Sequence, residues 1–257
     1  MLSRIETVVA ESVELGYGRR LVAAELSFSI GPGITALVGR NGSGKTTLLS
    51  AVATTKPIRS GRLTILGTTV GPHADLRELR ERLGYLPQVF GFFRRFTLTE
   101  FVEYVAWLKK VPSTLRTAAV HEAIAAVDLE QHANRKMASL SGGMIRRAGL
   151  AQAIVNKPQL CILDEPSVGL DPEQRIEFRS LVKRLSTTTS VILSTHLLDD
   201  IAAIATRVLV LDQGRLLFSG TSAELEARAD GNVGDTPLER GYTAVVSRGT
   251  AFTNEPN

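Results

Sequence analysis

The sequence is short of several features that define common protein classes. It has one cysteine, Cys161, which excludes an internal disulfide and a multi-cysteine zinc site and is typical of a reducing compartment. The longest stretches without formal charge, residues 26–39 and 185–198, span 14 residues each, whereas a membrane-spanning helix needs about 20 apolar residues. We therefore expect no membrane-spanning helix. Arg4 and Glu6 interrupt the first ten residues, so we also expect no secretory signal.

Charge of one sign is not in excess either. Thirty Lys and Arg residues against 26 Asp and Glu residues give a formal net charge of +4, which describes a solvated surface and not a nucleic-acid-binding tail. We expect no nucleic-acid partner. The 44% hydrophobic and 22% charged residues are close to globular averages, which excludes a disordered or collagen-like chain.

Apolar runs alternate with amphipathic segments, and this pattern predicts an α/β fold. The predicted strands are residues 34–38, 159–163, 191–193 and 208–211, with helices from about residue 46 and after Asp171 and His196. Residues 98–110 and 115–127 have helical spacing, and Thr97 with Glu100 forms a capping box before the first of them. These features predict a helical insert at about residues 90–155.

The C-terminal part has two further helix-start signals. Thr221 with Glu224 predicts a short helix, and the run Thr236-Pro237-Leu238-Glu239 predicts another one with proline at its first position. We therefore expect one domain over residues 1–230 and a short tail, residues 231–257, with a terminal helix.

A glycine-rich segment directly after the strand at 34–38 matches the pattern GxxxxGK[ST]. Glycines let successive N–H groups point inward at phosphate oxygens, and the helix that follows adds its positive N-terminal end. The lysine reaches the β- and γ-phosphates and the threonine hydroxyl can bind Mg²⁺. The alternative is an ordinary glycine-rich turn. The predicted ATP contacts are Gly39, Arg40, Asn41, Gly42, Ser43, Gly44, Lys45, Thr46 and Thr47.

A second feature supports nucleotide binding. Asp164 directly follows the apolar strand at 159–163, where P-loop enzymes place the aspartate that holds the metal. The next residue, Glu165, could accept a proton from the attacking water. The alternative is a turn or helix start. Guanine specificity is excluded because the nearest match to NKxD, Asn156-Lys157-Pro158-Gln159, lacks the aspartate.

A second glycine cluster, Leu140-Ser141-Gly142-Gly143-Met144, comes just before a helix that we predict at residues 145–155. With it, the sequence resembles the ATP-binding subunits of ABC transporters over about residues 7–220, because the cluster is similar to their LSGGQ signature. Met144 stands where the family usually has glutamine. The resemblance implies a P-loop NTPase (RecA-like) core with an antiparallel β subdomain and a helical insert that carries the signature.

The family arrangement implies that two subunits pack head to tail. Each ATP would lie between the glycine loop of one subunit and Ser141, Gly142 and Gly143 of the other. The partner would be an identical chain or a paralogous ATPase, and ATP and Mg²⁺ would be the cofactors.

The resemblance assigns four more residues. Tyr17 is similar to the aromatic residue that stacks on adenine, Gln88 to the Q-loop residue that senses Mg²⁺ and the attacking water, His196 to the switch histidine, and Asp171 to the D-loop aspartate. The alternatives are a turn tyrosine, a solvated glutamine, a structural histidine and a helix N-cap. Catalysis would then rest on Glu165, His196 and Gln88, and Mg²⁺ binding on Thr46, Gln88 and Asp164.

The implied function is that of an ATP-hydrolysing motor at the cytoplasmic face of the membrane, working with a separate permease chain. The region at 85–110 and the short tail look most like ABC-2-type exporters. The aromatic segment, residues 89–96, would either receive the permease or fill the core of the helical insert. Two alternatives to the motor function remain, a soluble single-cassette ABC ATPase that acts in assembly and a non-ABC kinase.

Overall fold

The computed structural model describes residues 6–230 and 233–251. Residues 1–5, part of the segment in which we expect no secretory signal, and the tail residues 231–232 and 252–257 lie outside the described residues. The strands of the described chain are β1 Val8–Tyr17, β2 Arg20–Ile30, β3 Ile34–Val38, β4 Ser60–Ile65, β5 Thr68–Val70, β6 Leu83–Leu86, β7 Leu160–Leu163, β8 Ser190–Thr195, β9 Arg207–Asp212 and β10 Arg215–Gly220.

The α-helices of the same residues follow the amphipathic segments of the sequence. They are α1 Lys45–Val52, α2 Arg77–Glu81, α3 Leu98–Leu108, α4 Ser113–Ala126, α5 Gly142–Ile154, α6 Pro172–Leu185, α7 Leu198–Ile204, α8 Ser222–Glu226 and α9 Pro237–Ala251. Two short 3-10 helices, Glu130–His132 and Met137–Ser139, lie between α4 and α5. No helix within residues 6–230 and 233–251 is both long enough and apolar enough to span a bilayer.

The chain forms two compact units. The first consists of the residues up to Ala74 together with those from Ile192 onward, and the second is Asp75–Val191. The terminal helix α9 starts at Pro237, where Glu239 N donates to Thr236 Oγ1 at 3.2 Å, and it belongs to the first unit. The predicted division at residue 230 stays a prediction.

The first unit contains two sheets. One is antiparallel with the order β2-β1-β4-β5, which matches the antiparallel β subdomain that the family resemblance implied. In the other, the strands run β10-β9-β3 and then the residues of β8 from Ile192 onward, and β3 pairs in parallel with β9. Every residue of β3 is buried, including Thr35, as its mainly apolar sequence predicts.

The second unit contains the parallel pair β6 and β7, in the register Leu83 with Leu160 to Leu86 with Leu163. Helices α3, α4 and α5 lie within the predicted insert. The predicted capping box at the start of α3 is confirmed, since Glu100 N donates to Thr97 Oγ1 at 3.2 Å and Thr97 N donates to Glu100 Oε2 at 2.7 Å.

Candidate functional site

The glycine loop of the first unit leads from buried β3 into α1. Gly42 and Gly44 have φ angles of 83° and 106°, which residues with a Cβ rarely adopt, and this backbone lets the loop curl around a central space. Helix α1 starts at Lys45 and has no acidic residue in its first turn. Its positive N-terminal end is therefore left for an anion.

Lys45 lies inside this loop. Its Nζ donates to Gly39 O at 2.6 Å and to Arg40 O at 3.2 Å, and the residue is only 6% exposed. Ser43 Oγ is also buried, and it has no hydrogen-bond partner in the described part of the chain. A buried hydroxyl without a partner costs about 1–3 kcal/mol, so a bound phosphate oxygen that accepted its proton would remove this cost.

Tyr17 ends β1 with its side chain 46% exposed. Its hydroxyl lies 3.3 Å from Thr47 Oγ1 on α1, and Lys56 Nζ lies 3.6 Å from the centroid of its ring. Hydrogen bonding from Lys56, and then from Thr47, lowers the pKa of the Tyr17 phenol. The ring is therefore held beside the glycine loop, where it can stack on a base.

Sequence reasoning missed Lys56, because a lysine after the end of a helix carries no signal of an aromatic partner 39 positions earlier. His196, which sequence reasoning did select, follows β8 directly and is exposed. Next to it, Leu197 N donates to Thr195 Oγ1 at 3.0 Å, which turns the chain at the end of the strand.

The carboxylates of the second unit come directly after β7. Asp164 is fully buried and Glu165 is 5% exposed. Asp164 N donates at 2.8 Å to the carbonyl of Leu86, the last residue of β6, which extends the pairing one residue beyond the end of β7. Glu165 has a φ of 46°, a left-handed conformation that costs a residue with a side chain about 1–2 kcal/mol. Such local strain is concentrated at functional sites.

Gln88 lies two residues beyond the end of β6, with an exposed side chain. The parallel strands β6 and β7 end at the same edge. Gln88 and Asp164 therefore both come after that edge along the chain. The backbone carbonyl of Gln88 accepts a hydrogen bond from Arg146 Nη1 on α5 at 2.8 Å. Sequence reasoning missed Arg146, because an Arg-Arg pair on a helix does not reveal which residue faces inward.

The second glycine cluster forms the start of α5. The helix begins at Gly142, three residues earlier than predicted, because Ser141 Oγ caps it by accepting from Met144 N at 3.3 Å. Only the backbone of Met144 makes this contact, so the replacement of the family's glutamine leaves the cap intact. Gly142 is exposed, with no atom within 4 Å of the position where a Cβ would lie, whereas Gly143 is buried beside the Gln174 side chain.

Asp171 is the N-cap of α6, which is one of the two roles predicted for it. Its Oδ1 accepts from Gln174 N at 2.9 Å, and Pro172 occupies the first helical position. The side chain therefore holds the helix start, and its role toward nucleotide stays a prediction.

The aromatic segment divides into two groups. Phe90 packs inside the second unit against buried Phe101, with ring centroids 6.1 Å apart. Phe93 and Trp107 are 53% and 57% exposed, and Tyr104 lies between them with centroid distances of 5.5 Å and 6.1 Å. The segment thus fills the core and also forms an exposed surface. We call Phe93, Tyr104 and Trp107 the aromatic face.

The comparisons with known proteins decide the family. The ABC transporter family model matches residues 23–168, which include the glycine loop, the signature and both carboxylates. The chain belongs to the ABC transporter family. The predicted P-loop NTPase fold, ATP binding and ATPase activity of this subunit are thereby confirmed.

Relatives of this ABC ATPase include the linearmycin resistance ATP-binding protein LnrL of Bacillus subtilis (strain 168), 32% identical over 87% of this chain and 72% of that protein. The Nod factor export ATP-binding protein I of Sinorhizobium fredii is 36% identical over 85% of this chain and 65% of that protein. A methionine import ATP-binding protein, MetN of Xanthomonas axonopodis pv. citri, is 34% identical over 81% of this chain and 64% of that protein.

The fold also matches solved ABC structures. The dimeric structure of MJ0796, a bacterial ABC transporter cassette, superposes with a TM-score of 0.75 at 23% identity and covers 83% of this chain and 98% of that chain. At this identity the likeness concerns the fold alone.

Proposed function

We propose that two copies of this ATPase bind ATP head to tail. The glycine loop of one copy would hold the triphosphate, and the Ser141 end of α5 from the other copy would close over the γ-phosphate. The observation that carries the proposal is the second glycine cluster, a helix start whose first turn has no acidic residue. One ATP has one γ-phosphate, so a chain with two phosphate-binding loops is best explained by a shared ligand.

Mg²⁺ fits the residues that the sequence selects for it. Thr46 Oγ1, the Asp164 carboxylate and the Gln88 amide offer only oxygen ligands, which Mg²⁺ prefers. In the part of the chain that the structure describes, no three His, Cys, Asp or Glu residues form a metal site of their own. This agrees with an ion that is held jointly by substrate phosphates and one or two protein groups. When bound, Mg²⁺ would neutralise charge on the phosphates.

Hydrolysis in this proposal depends on three residues. Glu165, next to the metal aspartate, would orient the attacking water and accept its proton. Gln88 would position the same water, and His196 would contact the γ-phosphate. Loss of the γ-phosphate would then remove the contact that holds the two copies together and release the dimer.

We further propose that the dimer drives export through a separate membrane chain, bound peripherally at the cytoplasmic face. The aromatic face offers exposed Phe93, Tyr104 and Trp107 next to exposed Arg94 and Arg95. Aromatic and arginine side chains are the types enriched at protein interfaces. Two of the three relatives are named for resistance or export, and the third for import.

Mixed dimers test the shared site. In a Glu165→Gln background, one protein would also carry Lys45→Ala and the other Gly142→Arg. Neither should dimerise alone with ATP and Mg²⁺, since each site of its homodimer lacks one half. A mixture has one complete site per heterodimer and should dimerise. If the mixture stays as monomeric as its components, the shared site is wrong.

The membrane partner requires a separate test. If a hydrophobic multi-span protein is encoded beside this chain, co-expression of the two should give a complex that purifies together. The double variant Phe93→Ser/Trp107→Ser should lose the complex yet keep its ATP affinity, and Leu115→Ser, at an exposed leucine on α4, is the control. Wild-type complex formation by the double variant would contradict the aromatic face as the docking surface.

A further inference from the structure

Three side chains in or just after α5 donate hydrogen bonds to the backbone around β6. Asn156 Nδ2 donates to Leu83 O at 3.2 Å, and Gln152 Nε2 donates to Tyr85 O at 3.0 Å. Arg146 Nη1 donates to the carbonyl of Gln88 at 2.8 Å, beyond the end of the strand. The first two bonds satisfy carbonyls of a strand, as buried backbone groups require. The third fixes a loop that would otherwise have no regular pairing.

Close packing fixes the position of the helix that carries Arg146. At Gly149, one turn further along α5, a Cβ would lie 2.6 Å from Phe90 Cε1 and 2.7 Å from Leu86 Cδ1. The helix therefore contacts both ends of the segment that contains Gln88. Glycine is required here because any side chain would push α5 away from the loop.

Arg146 also interacts electrostatically with Asp164. Burial lowers the pKa of the guanidinium, and the Asp164 carboxylate acts in the opposite direction and raises it. The guanidinium is thus a half-buried cation that interacts with the residue proposed to bind Mg²⁺ and with the backbone of the residue proposed to sense it. A hydrogen bond from a charged donor is about twice as strong as one between neutral groups.

We propose that Arg146 is a positioning residue for ATP hydrolysis, which holds the backbone at Gln88 in register with Asp164. It lies on α5, five residues after the signature serine, so movement of the signature helix is transmitted to Gln88 by this bond. The inference rests on the proposed roles of Gln88 and Asp164.

The matched pair Arg146→Met and Gln152→Met tests the inference. Each substitution removes one donor from α5 to a backbone carbonyl of the same segment, at an incompletely buried side chain. Loss of a residue that orients metal ligands typically costs about 10–100-fold in metal affinity or activity. Arg146→Met should therefore lower kcat about tenfold and raise the half-saturating Mg²⁺ concentration about tenfold. Gln152→Met should leave both within about twofold, because its acceptor lies in the strand.

Hydrogen exchange of the nucleotide-free protein gives a readout that needs no activity. Amide exchange at residues 88–90 should be about tenfold faster in Arg146→Met, because the loop loses a charged hydrogen bond worth a factor of that order. Arg146→Lys, which keeps the charge, should recover part of the Mg²⁺ affinity. Equal behaviour of the Met variants in exchange and Mg²⁺ dependence would overturn the inference. Failure of the shared site would instead appear in the wild-type protein, as ATP that never induces a dimer.

Discussion

The two glycine loops of this protein differ in what they bring to a phosphate. The loop at 39–44 has left-handed glycines and encloses its own cation, Lys45, which is buried with its Nζ 2.6 Å from Gly39 O. The cluster at 141–143 has an ordinary capped helix start. The two nearby arginines are engaged elsewhere, Arg146 with Gln88 O and Arg147 in an ion pair with Glu177.

This difference shows which loop can act alone. A cation within a closed loop neutralises phosphate charge directly, so we expect the first loop to bind the nucleotide by itself. The second offers helix N–H groups and one serine hydroxyl, an interaction worth about 0.3–1 kcal/mol for each favourable charge near a helix end. It can therefore complete a site that the first loop has formed, which is what the head-to-tail proposal requires.

The largest expected effect comes from removing the cation. Lys45→Ala should weaken ATP binding about 100-fold or more, since charge-assisted hydrogen bonds contribute about 1.5–3 kcal/mol each. Lys56→Ala, at the lysine above Tyr17, is the control and should weaken binding only a few-fold, in line with about 0.5–1 kcal/mol for an exposed cation–π contact. Calorimetric titration with ATP measures both. Similar losses for the two variants would contradict the special role of the enclosed lysine.

Gly142→Ala separates stability from function at the second loop. The position has free space around it in an isolated chain, so alanine should stabilise the helix by about 0.5 kcal/mol and raise the Tm slightly. The new methyl group would point toward a phosphate brought by another copy. ATP-dependent dimerisation should weaken about tenfold, because an extra methyl group in a close contact costs about 1–3 kcal/mol. Thermal unfolding and sedimentation measure the two effects. A variant that dimerises normally would remove Gly142 from the shared site.

We expect Tyr17 to add a base contact, and only to the first loop. Base–aromatic stacking is worth about 1–3 kcal/mol, so Tyr17→Ala should weaken ATP binding about tenfold. Tyr17→Phe keeps the ring but loses the hydroxyl contact with Thr47, and it should bind ATP within a factor of about three. Binding of inorganic triphosphate, which has no base, should be the same for both variants. Equal ATP affinity of the Ala and Phe variants would contradict stacking.

The smallest expected effect concerns the capping hydroxyls. Ser141 caps α5 and Thr221 caps α8 with nearly equal bonds of 3.3 Å and 3.2 Å. Replacing either one with alanine should lower the free energy of unfolding by about 1 kcal/mol, measured by urea denaturation. Only Ser141→Ala should also weaken ATP-dependent dimerisation. If Thr221→Ala weakens it equally, the serine acts through stability alone.

The sequence predicted the parts of the fold that have local signals. The buried strand at 34–38, the capping boxes at Thr97 and Thr221 and the N-cap at Asp171 all reflect interactions within a few residues. Strand β1 was not predicted, because its register shifts between Ala10 and Val13, with Ser12 at a φ of 49°. This irregularity breaks the alternation of apolar and polar residues that identifies a half-buried strand.

The candidate site shows the same limit. Motif spacing selected Gly39–Thr46, Asp164 and Ser141, because these functions need particular residue types at fixed intervals. Arg146 and Lys56 were missed, since their contacts are with residues 58 and 39 positions away that only the folded chain brings close. A contact between two such distant residues does not produce a fixed residue spacing that could be recognised in the sequence.

The most direct test of the central claim is sedimentation velocity of the Glu165→Gln variant with saturating ATP and Mg²⁺. Without the general base the γ-phosphate should persist, because such a group contributes about 10²–10⁴-fold to the rate. We predict a dimer that forms with ATP and dissociates when ADP replaces it. A variant that binds ATP with wild-type affinity and yet sediments as a monomer would contradict the shared site.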